Sequence, residues 1–390
     1  MTSGNRTSGS RTSHHRPGLR LAVDAHPLLG QRSGVGRYLD GVLAGLSSLP
    51  GAPEPVLTLF SGRARVPEPV PPGSRPARRA VPARVLKGLW RYLPSTGVEL
   101  LTGPIDVFHA GNYVLPPLRR AAGVVTVHDL AYLRYPETVD DNVLTYRERV
   151  PDALARAARA LTVSEAVRDE LCAEYSLDPA TVLVAPNGVD PEWARARPLS
   201  ATDRARLGVP ERYLLFVGNL EPRKGLPLLA RAHAAARRSD PDVPPLLLVG
   251  PPGWGDAWGG TVPDPADVRH VGFVPDEDLR GLVAGAVAVC MPSRYEGFGL
   301  PLLEGLACGR PVLASDIPAH REVGGSAATY VAADDDAWSH ALTEVSSTDD
   351  DPTAGQARRE RARPFTWERS AQVHMSAWRA AADERQPRAG

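Results

Sequence analysis

Short apolar runs that alternate with helical patterns are the feature of this sequence that most restricts its fold. LRLAVDA (19–25), DVFHA (106–110) and GVVTVHDL (123–130) have the length and composition of buried strands. Helical patterns, such as the one from about Gly36 to Leu46, lie between such runs. This alternation is typical of a parallel sheet covered by helices. The sequence therefore predicts an α/β fold.

The pattern lapses between Asn187 and Arg212, where the chain is polar and rich in Pro and Gly, and then it starts again. We interpret this segment as a domain junction and predict two successive doubly wound domains. Ligands of such sheets bind at the carboxyl ends of the strands, so the cleft between the domains is the expected site. The predicted boundaries are a disordered tail over 1–17, a first domain over 18–190, a second over 191–364 and a terminal helical segment over 365–390.

Composition excludes several classes of protein. The 45 basic and 45 acidic residues balance, which argues against a nucleic-acid-binding protein. Apolar runs fall well short of the roughly 20 residues that a membrane span needs. Residues 1–17 lack the apolar region of a secretory signal. The three cysteines show no CxxC spacing, which disfavours a zinc site or a disulfide framework and predicts a cytoplasmic protein.

Two glutamates flank the predicted start of a helix in the second domain. Glu296 and Glu304 are separated by seven residues, and Gly297 and Gly299 between them allow a ligand to approach the backbone closely. The positive end of a helix binds phosphate, and carboxylates accept hydrogen bonds from hydroxyl groups. This pattern favours a sugar and a ribose as ligands. The alternative is an ordinary surface pair of glutamates.

A basic pair follows the first strand of the second domain. Arg223 and Lys224 lie in FVGNLEPRKGL (216–226), where the strand ends and a helix begins. Two adjacent cations at this place suit a diphosphate. Lys224 is one of two lysines in a chain with 43 arginines, so a lysine inside a motif is informative. The alternative is a solvated basic turn.

The first domain has a glycine turn, which indicates a function less specifically than the two charged motifs do. Gly34 and Gly36 lie in SGVGRYLDGVL (33–43), which is not a GxGxxG fingerprint because residue 39 is leucine. A dinucleotide-dependent dehydrogenase is therefore disfavoured. We interpret the turn as one wall of the cleft.

Two histidines fall at predicted strand ends of the first domain. His109 and the pair His128–Asp129 are expected to face the cleft. The alternative is that both histidines are structural.

Taken together, these motifs resemble the family 4 glycosyltransferases over about residues 19–380. Within that family the HDL…YPE and EPRK forms are most similar to the mannosyltransferase branch. The resemblance is carried by Gly34–Gly36, DVFHAGNYVLPP (106–117), VTVHDLAYLRYPE (125–137), LTVSEAVRDEL (161–171), VLVAPNGVD (182–190), VGNLEPRKGL (217–226), VGFVPDEDL (271–279) and Glu296 with Glu304.

The resemblance implies the GT-B architecture, in which two Rossmann-like domains face each other across a cleft and the last helix returns to the N-terminal domain. It implies retaining, metal-independent transfer of a hexosyl group, without a cofactor, from a nucleotide-diphospho sugar to a hydroxyl acceptor. GDP-mannose is the first expectation for the donor. Alternatives are a UDP-, dTDP- or ADP-sugar with a small-molecule acceptor, or a sugar-nucleotide epimerase. The acceptor could be a carbohydrate, a lipid-linked sugar or a small molecule.

The resemblance also implies roles for individual residues. Glu296 contacts the donor sugar and Glu304 the ribose, Lys224 with Arg223 neutralises the diphosphate, and His128 lies beside the anomeric carbon. Many members have arginine where this chain has Asn219, which leaves the phosphate ligands open. The remaining donor-binding residues are Gly34, Gly36, Asn219, Gly297, Phe298, Gly299 and Leu300. The acceptor side is assigned His109, Asp129 and Arg37.

Residues 75–93 combine six cations with an apolar stripe that includes Trp90. A basic amphipathic helix over 83–93 could dock on anionic lipid, which would give peripheral attachment to the inner face of the membrane. The alternative is that the stripe packs on the first sheet and the arginines are solvated.

Overall fold

The computed structural model describes residues 18–385 except 31–33, 61–64, 67, 78–84, 86–95, 259, 261–263, 265 and 349–350. Among the described residues, the first half of the chain forms a seven-stranded sheet in the order β3-β2-β1-β4-β5-β6-β7, with every pairing parallel. Its strands are β1 (Leu21–Asp24), β2 (Val56–Thr58), β3 (Arg75–Pro76), β4 (Val107–Ala110), β5 (Ala122–Val127), β6 (Arg159–Thr162) and β7 (Val182–Val184).

Helices lie in most of the connections between these parallel strands, although none of the described helices lies between β2 and β3 or between β4 and β5. Helix α1 buries Tyr38, Leu39, Val42 and Leu46, a spacing that places them on one face. The helices are α1 (Gly34–Ser47), α2 (Glu99–Thr102), α3 (Ala131–Arg134), α4 (Asp141–Leu144), α5 (Tyr146–Arg156) and α6 (Glu165–Tyr175).

The second half of the chain forms a six-stranded parallel sheet in the order β10-β9-β8-β11-β12-β13. Its central strands are buried along their whole length, as continuous apolar runs predict. The strands are β8 (Leu214–Val217), β9 (Leu246–Val249), β10 (Val268–Gly272), β11 (Ala288–Met291), β12 (Val312–Ser315) and β13 (Thr329–Val331).

In this half a helix follows each of β8, β10, β11, β12 and β13, and none of the described helices lies between β9 and β10. The helices are α7 (Pro191–Arg195), α8 (Ala201–Leu207), α9 (Leu226–Ser239), α10 (Asp276–Gly285), α11 (Leu300–Ala307), α12 (Pro318–Gly324), α13 (Asp335–Ser347), α14 (Pro352–Ala362) and α15 (Trp367–Arg385).

The last helix, α15, packs on the first domain against α1 and the strands β4 to β7. Trp378 is fully buried there and Trp367 nearly so. Two glycines of α1 make room for this contact. A Cβ atom on Gly41 would lie 2.2 Å from the Trp367 ring, and one on Gly45 would lie 2.3 Å from the Trp367 carbonyl oxygen. The helix therefore rests on α1 at a distance that larger residues would not allow.

The predicted fold class is confirmed by these two parallel sheets and their helices. The sequence patterns did not indicate the short edge strands β3 and β13, since two or three residues give too little periodicity to identify. The predicted basic helix over 83–93 lies outside the described residues except for Val85, so lipid docking stays a prediction. In the part of the chain that the structure describes, no helix is both long and apolar enough to span a membrane.

A chain that ends at residue 364 should unfold at a lower temperature than the full chain and should aggregate. Removal of α15 uncovers the apolar faces of α1 and β5 that Trp367 and Trp378 cover. Differential scanning fluorimetry and light scattering measure the two effects. A chain that ends at residue 385 is the matched control. An unchanged melting temperature for the shorter chain would show that α15 is not needed for the first domain.

Candidate active site

Glu296 is the centre of a buried cluster of charges. Lys224 Nζ lies 2.6 Å from Glu296 Oε1, and Arg223 Nη1 lies 3.1 Å from Oε2. Ser293 donates a hydrogen bond to Oε1 at 2.8 Å. Burial alone would raise the pKa of the Glu296 carboxyl, but Lys224 and Arg223 together hold that pKa well below its ordinary value. The carboxylate is therefore ionised and fixed in position.

The two cations come from a tight turn, Pro222–Lys224, that follows β8. Gly225 ends this turn at φ 71°, and a Cβ atom there would lie 2.0 Å from the Pro292 carbonyl oxygen. The turn thus contacts the end of β11 directly. Arg223 strengthens the contact, because it donates to the Tyr295 carbonyl oxygen at 3.1 Å. The basic pair and the glutamate loop are consequently held as one unit.

The same loop touches the first domain. A Cβ atom on Gly297 would lie 1.9 Å from the His128 carbonyl oxygen, so no larger residue fits without a shift of the backbone. Ser164 donates to the Gly297 carbonyl oxygen at 2.7 Å. Tyr295 accepts from the Leu130 amide at 2.9 Å. The structure therefore brings Glu296 and its cations to the end of β5, where His128 lies.

The His128 ring is held in one orientation. Its Nε2 lies 2.8 Å from the Gly111 carbonyl oxygen, which can only accept, so Nε2 carries the proton. The rings of Tyr38 and Tyr113 stand edge-on to it at 4.7 and 5.7 Å. Burial lowers the pKa of His128. The neutral ring therefore has Nδ1 as its hydrogen-bond acceptor.

Asp129 lies beside His128 at the start of α3. Its Oδ1 accepts from the Ala131 amide at 3.0 Å, and its own amide donates to the Tyr113 hydroxyl at 3.1 Å. The carboxylate thus stabilises the local turn.

Gly34 and Gly36 form the first turn of α1.

Arg37, which the resemblance assigns to the acceptor side, forms an ion pair with the second domain. Its guanidinium crosses the cleft and pairs with Glu304, the carboxylate assigned to ribose. Arg37 points this way because it lies in the first turn of α1, which faces α11 of the second domain. The structure therefore shows Arg37 paired with a carboxylate of the second domain.

His109 is placed differently from its prediction. It lies within β4, is fully buried, and contacts Thr126 Oγ1 through Nε2 at 2.9 Å. Its ring lies 5.5 Å from that of Trp378 on α15. Side chains alternate between the two faces of a strand, and the one at this position faces the C-terminal helix. His109 therefore belongs to the core and not to the cleft.

The remaining predicted donor-binding residues differ in what they contact. Gly299 has φ 99° and precedes α11, which begins at Leu300. Phe298 is buried and packs against Phe365, with ring centroids 6.0 Å apart, so its side chain serves the core. Asn219 donates to Glu221 Oε1 at 3.0 Å and supports the basic turn.

Several residues of the site were missed by the sequence interpretation. Ser293 and Glu221 hold Glu296 and Arg223, and both lie within a few residues of the motifs, where a search for partners of buried charges could have found them. Trp254 donates to the Thr138 carbonyl oxygen across the cleft at 3.1 Å. No sequence signal marks that contact. Among the described residues, no group of three or more His, Cys, Asp or Glu side chains could hold a metal ion.

Two parallel α/β domains that meet at a cluster of cations and carboxylates fit the GT-B class of glycosyltransferase that the motifs predict. Comparison with family models agrees with this class. Residues 33–193 match the model of "Glycosyltransferase Family 4", and residues 211–348 match that of "Glycosyl transferases group 1".

Similar proteins extend the comparison. The O-antigen chain mannosyltransferase B of Escherichia coli is 30% identical over 283 residues, which are 70% of this chain and 74% of the relative. A D-inositol 3-phosphate glycosyltransferase of Kribbella flavida is 32% identical over 309 residues, 73% of this chain and 70% of the relative. Anabaena HepE, solved with UDP and glucose, has a TM-score of 0.67 at 17% identity and covers 92% of this chain and 99% of its own. The chain belongs to glycosyltransferase family 4, as its motifs predicted.

Acid should destabilise this protein through its buried histidines. Burial lowers the pKa of His374 from 6.5 to about 4, and burial also lowers that of His109. The unfolded chain binds these protons near pH 6.5. The contribution of the neutral histidines to the free energy of unfolding is therefore fully present above that pH and is lost as the pH falls towards about 4. We expect the free energy of unfolding to fall by about 2–3 kcal/mol over this range on account of His374.

Urea unfolding at a series of pH values measures this loss. His374→Gln should flatten the dependence on pH, whereas replacement of the exposed His340 by Gln should leave it as in the wild type. Parallel curves for the wild type and His374→Gln would contradict the explanation.

Proposed function

We propose that the protein transfers a hexosyl group, with mannose as the first candidate, from a nucleotide-diphospho sugar to a hydroxyl acceptor with retention of the anomeric configuration. The observation that carries this proposal is the convergence of Arg223 and Lys224 on Glu296 beside His128. Charges in a buried, preorganised site act more strongly than they would in water. Such a cluster suits a reaction in which a diphosphate leaves.

The cations offset the charge that develops on the leaving diphosphate. Lys224 has three N–H donors and Arg223 five, so both can contact phosphate oxygens while they still hold Glu296. Helix α11 begins directly after Gly299 and adds the positive end of its dipole. We propose that these groups suffice without a metal ion or a cofactor.

Glu296 and His128 position the donor sugar. The ionised carboxylate accepts hydrogen bonds from sugar hydroxyls, and Nδ1 of the neutral imidazole accepts another. The bond from C1 to the phosphate oxygen breaks as the bond from C1 to the acceptor oxygen forms on the same face. The acceptor proton goes to the leaving phosphate. Retention follows because attack and departure share one face.

The relatives support two classes of substrate. The O-antigen mannosyltransferase supports a mannosyl donor with a carbohydrate acceptor. The inositol 3-phosphate glycosyltransferase supports a second candidate, in which the acceptor is a small phosphorylated polyol. The proposed donor chemistry is the same for both.

A donor screen tests the substrate assignment. GDP-, UDP-, ADP- and dTDP-sugars would be incubated with the enzyme in EDTA, and nucleoside diphosphate release would be measured with and without acceptors of both classes. We expect GDP-mannose to be consumed and NMR to show an α-linked product. Release that needs added magnesium or manganese, or a product with inverted configuration, would contradict the proposed mechanism.

Lys224→Ala and Glu296→Ala should each lower kcat/KM by about a hundredfold while the protein stays folded. Loss of one preorganised charge in a buried site costs on the order of 3 kcal/mol of transition-state stabilisation. Steady-state kinetics with the donor from the screen measures the effect, and circular dichroism checks the fold.

Two control variants each remove one charge, a cation or a carboxylate, from the surface of the protein. Arg231→Ala removes a cation that pairs with Asp335 on the surface, and Glu344→Ala removes an exposed carboxylate. Both should keep wild-type kinetics. Turnover within threefold of the wild type for Lys224→Ala or Glu296→Ala would refute the assignment of that residue.

A further inference from the structure

Helix α6 of the first domain contacts the chain on both sides of Glu296. At its N-terminus, Ser164 donates a hydrogen bond to the Gly297 carbonyl oxygen at 2.7 Å. Further along the helix, Glu170 accepts a hydrogen bond from the Tyr295 hydroxyl at 2.7 Å. Tyr295 and Gly297 are the residues directly before and after Glu296. One helix of the first domain therefore fixes the chain on either side of this carboxylate of the second domain.

A third contact joins the N-terminus of α6 to the second domain. Glu322, in α12, accepts hydrogen bonds from the Glu165 and Ala166 amides at 2.8 and 3.0 Å. The first N–H groups of a helix have no partner inside it and carry the positive end of its dipole, so a carboxylate suits them well. The start of a helix in one domain is thus satisfied by a side chain of the other.

The Ser164 side chain forms two hydrogen bonds. Its oxygen accepts from the Val167 amide at 3.2 Å, which caps α6, and its hydroxyl group donates to the Gly297 carbonyl oxygen. The residue is fully buried. Ser164 and Glu170 both come from LTVSEAVRDEL (161–171), a motif that contributes to the family resemblance and has no role in the site described above.

The groups proposed to bind the diphosphate are held by other contacts. Lys224 and Arg223 pair with Glu296 inside the second domain, and helix α11 belongs to that domain as well. His128 belongs to the first domain. The contacts of α6 therefore bear on the position of Glu296 relative to His128, and not on the cations that receive the diphosphate.

We propose that Ser164 and Glu170 are positioning residues, which hold the Glu296 loop beside His128, and that Glu322 completes the same interface between the domains. This inference rests on the proposed function, in which Glu296 and His128 together position the donor sugar. A misplacement of about 1 Å in such a group can cost on the order of a hundredfold in rate. Loss of these contacts should therefore lower turnover while the affinity for a nucleoside diphosphate stays the same.

Ser164→Gly separates the domain contact from the helix cap. Glycine replaces serine at an N-cap with little loss of helix stability, whereas alanine costs more. We expect Ser164→Gly and Ser164→Ala to lower kcat alike, by about tenfold, since each loses the same buried hydrogen bond. Only Ser164→Ala should also melt at a clearly lower temperature.

Tyr295→Phe tests the second contact, because it removes the hydroxyl that Glu170 accepts from and keeps the ring. It should lower kcat by a similar factor. Calorimetric titration with GDP and UDP measures nucleotide affinity. The dissociation constant should stay within about twofold of the wild type for each variant.

Ser200→Ala is the matched control. Ser200 caps α8 in the second domain, and its side-chain hydrogen bonds among the described residues are both to Asp203. The variant loses a helix cap of the same kind as Ser164→Ala does. It should lower the melting temperature and leave kcat unchanged.

Hydrogen exchange measured by mass spectrometry tests the interface in the full chain without any substrate. In Glu322→Ala, the Glu165 and Ala166 amides lose their acceptor and should exchange faster than in the wild type. In Ser164→Gly and Tyr295→Phe, the loop over 294–300 should exchange faster. Ser200→Ala should change neither segment.

Three results would overturn the proposal. A wild-type kcat for Ser164→Gly would refute the role of Ser164, and one for Tyr295→Phe would refute that of Glu170. An equal loss of nucleotide affinity and turnover would show that the contacts support the diphosphate site instead. If the wild type turned over no donor in the screen, the proposed function would fail, and the exchange rates would still support or refute the hold of α6 on the loop.

Discussion

The burial of one ionised carboxylate, Glu296, is the constraint on which the site depends. A buried charge is tolerated only when it is paired, and Lys224 and Arg223 provide the pairing at 2.6 and 3.1 Å. This requirement fixes the turn after β8 against the loop after β11. Gly225 and Gly297 then remove the atoms that would prevent the approach. Electrostatics and close backbone packing thus specify the same geometry.

The first domain supports this arrangement through a buried polar network. Tyr38 places its ring against His128, and its hydroxyl lies 2.9 Å from Thr126 Oγ1 and 2.7 Å from His374 Nε2. His374 belongs to α15, so the C-terminal helix supports the tyrosine that packs against His128. The helix α1 also carries Arg37 towards Glu304. One helix therefore connects the core of the first domain to both ends of the proposed donor site.

Sequence patterns predicted the parts of this arrangement that are local. Long buried strands and the two charged motifs could be found because periodicity and spacing reveal them directly. The orientation of His109 could not, since it depends on where α15 packs some 260 residues later in the chain. The crossing of Arg37 to Glu304 depends on how the domains meet. Phe298 lies inside a ligand motif, yet it packs against Phe365, which no local pattern indicates.

A crystal structure with an intact nucleotide-diphospho sugar tests the central claim most directly. The claim is that Glu296, with its paired cations, holds the donor beside His128. The account predicts diphosphate oxygens within hydrogen-bond distance of Lys224 and Arg223, sugar hydroxyls on Glu296, and ribose on Glu304. A donor bound with its diphosphate away from Lys224 and Arg223 would contradict the account.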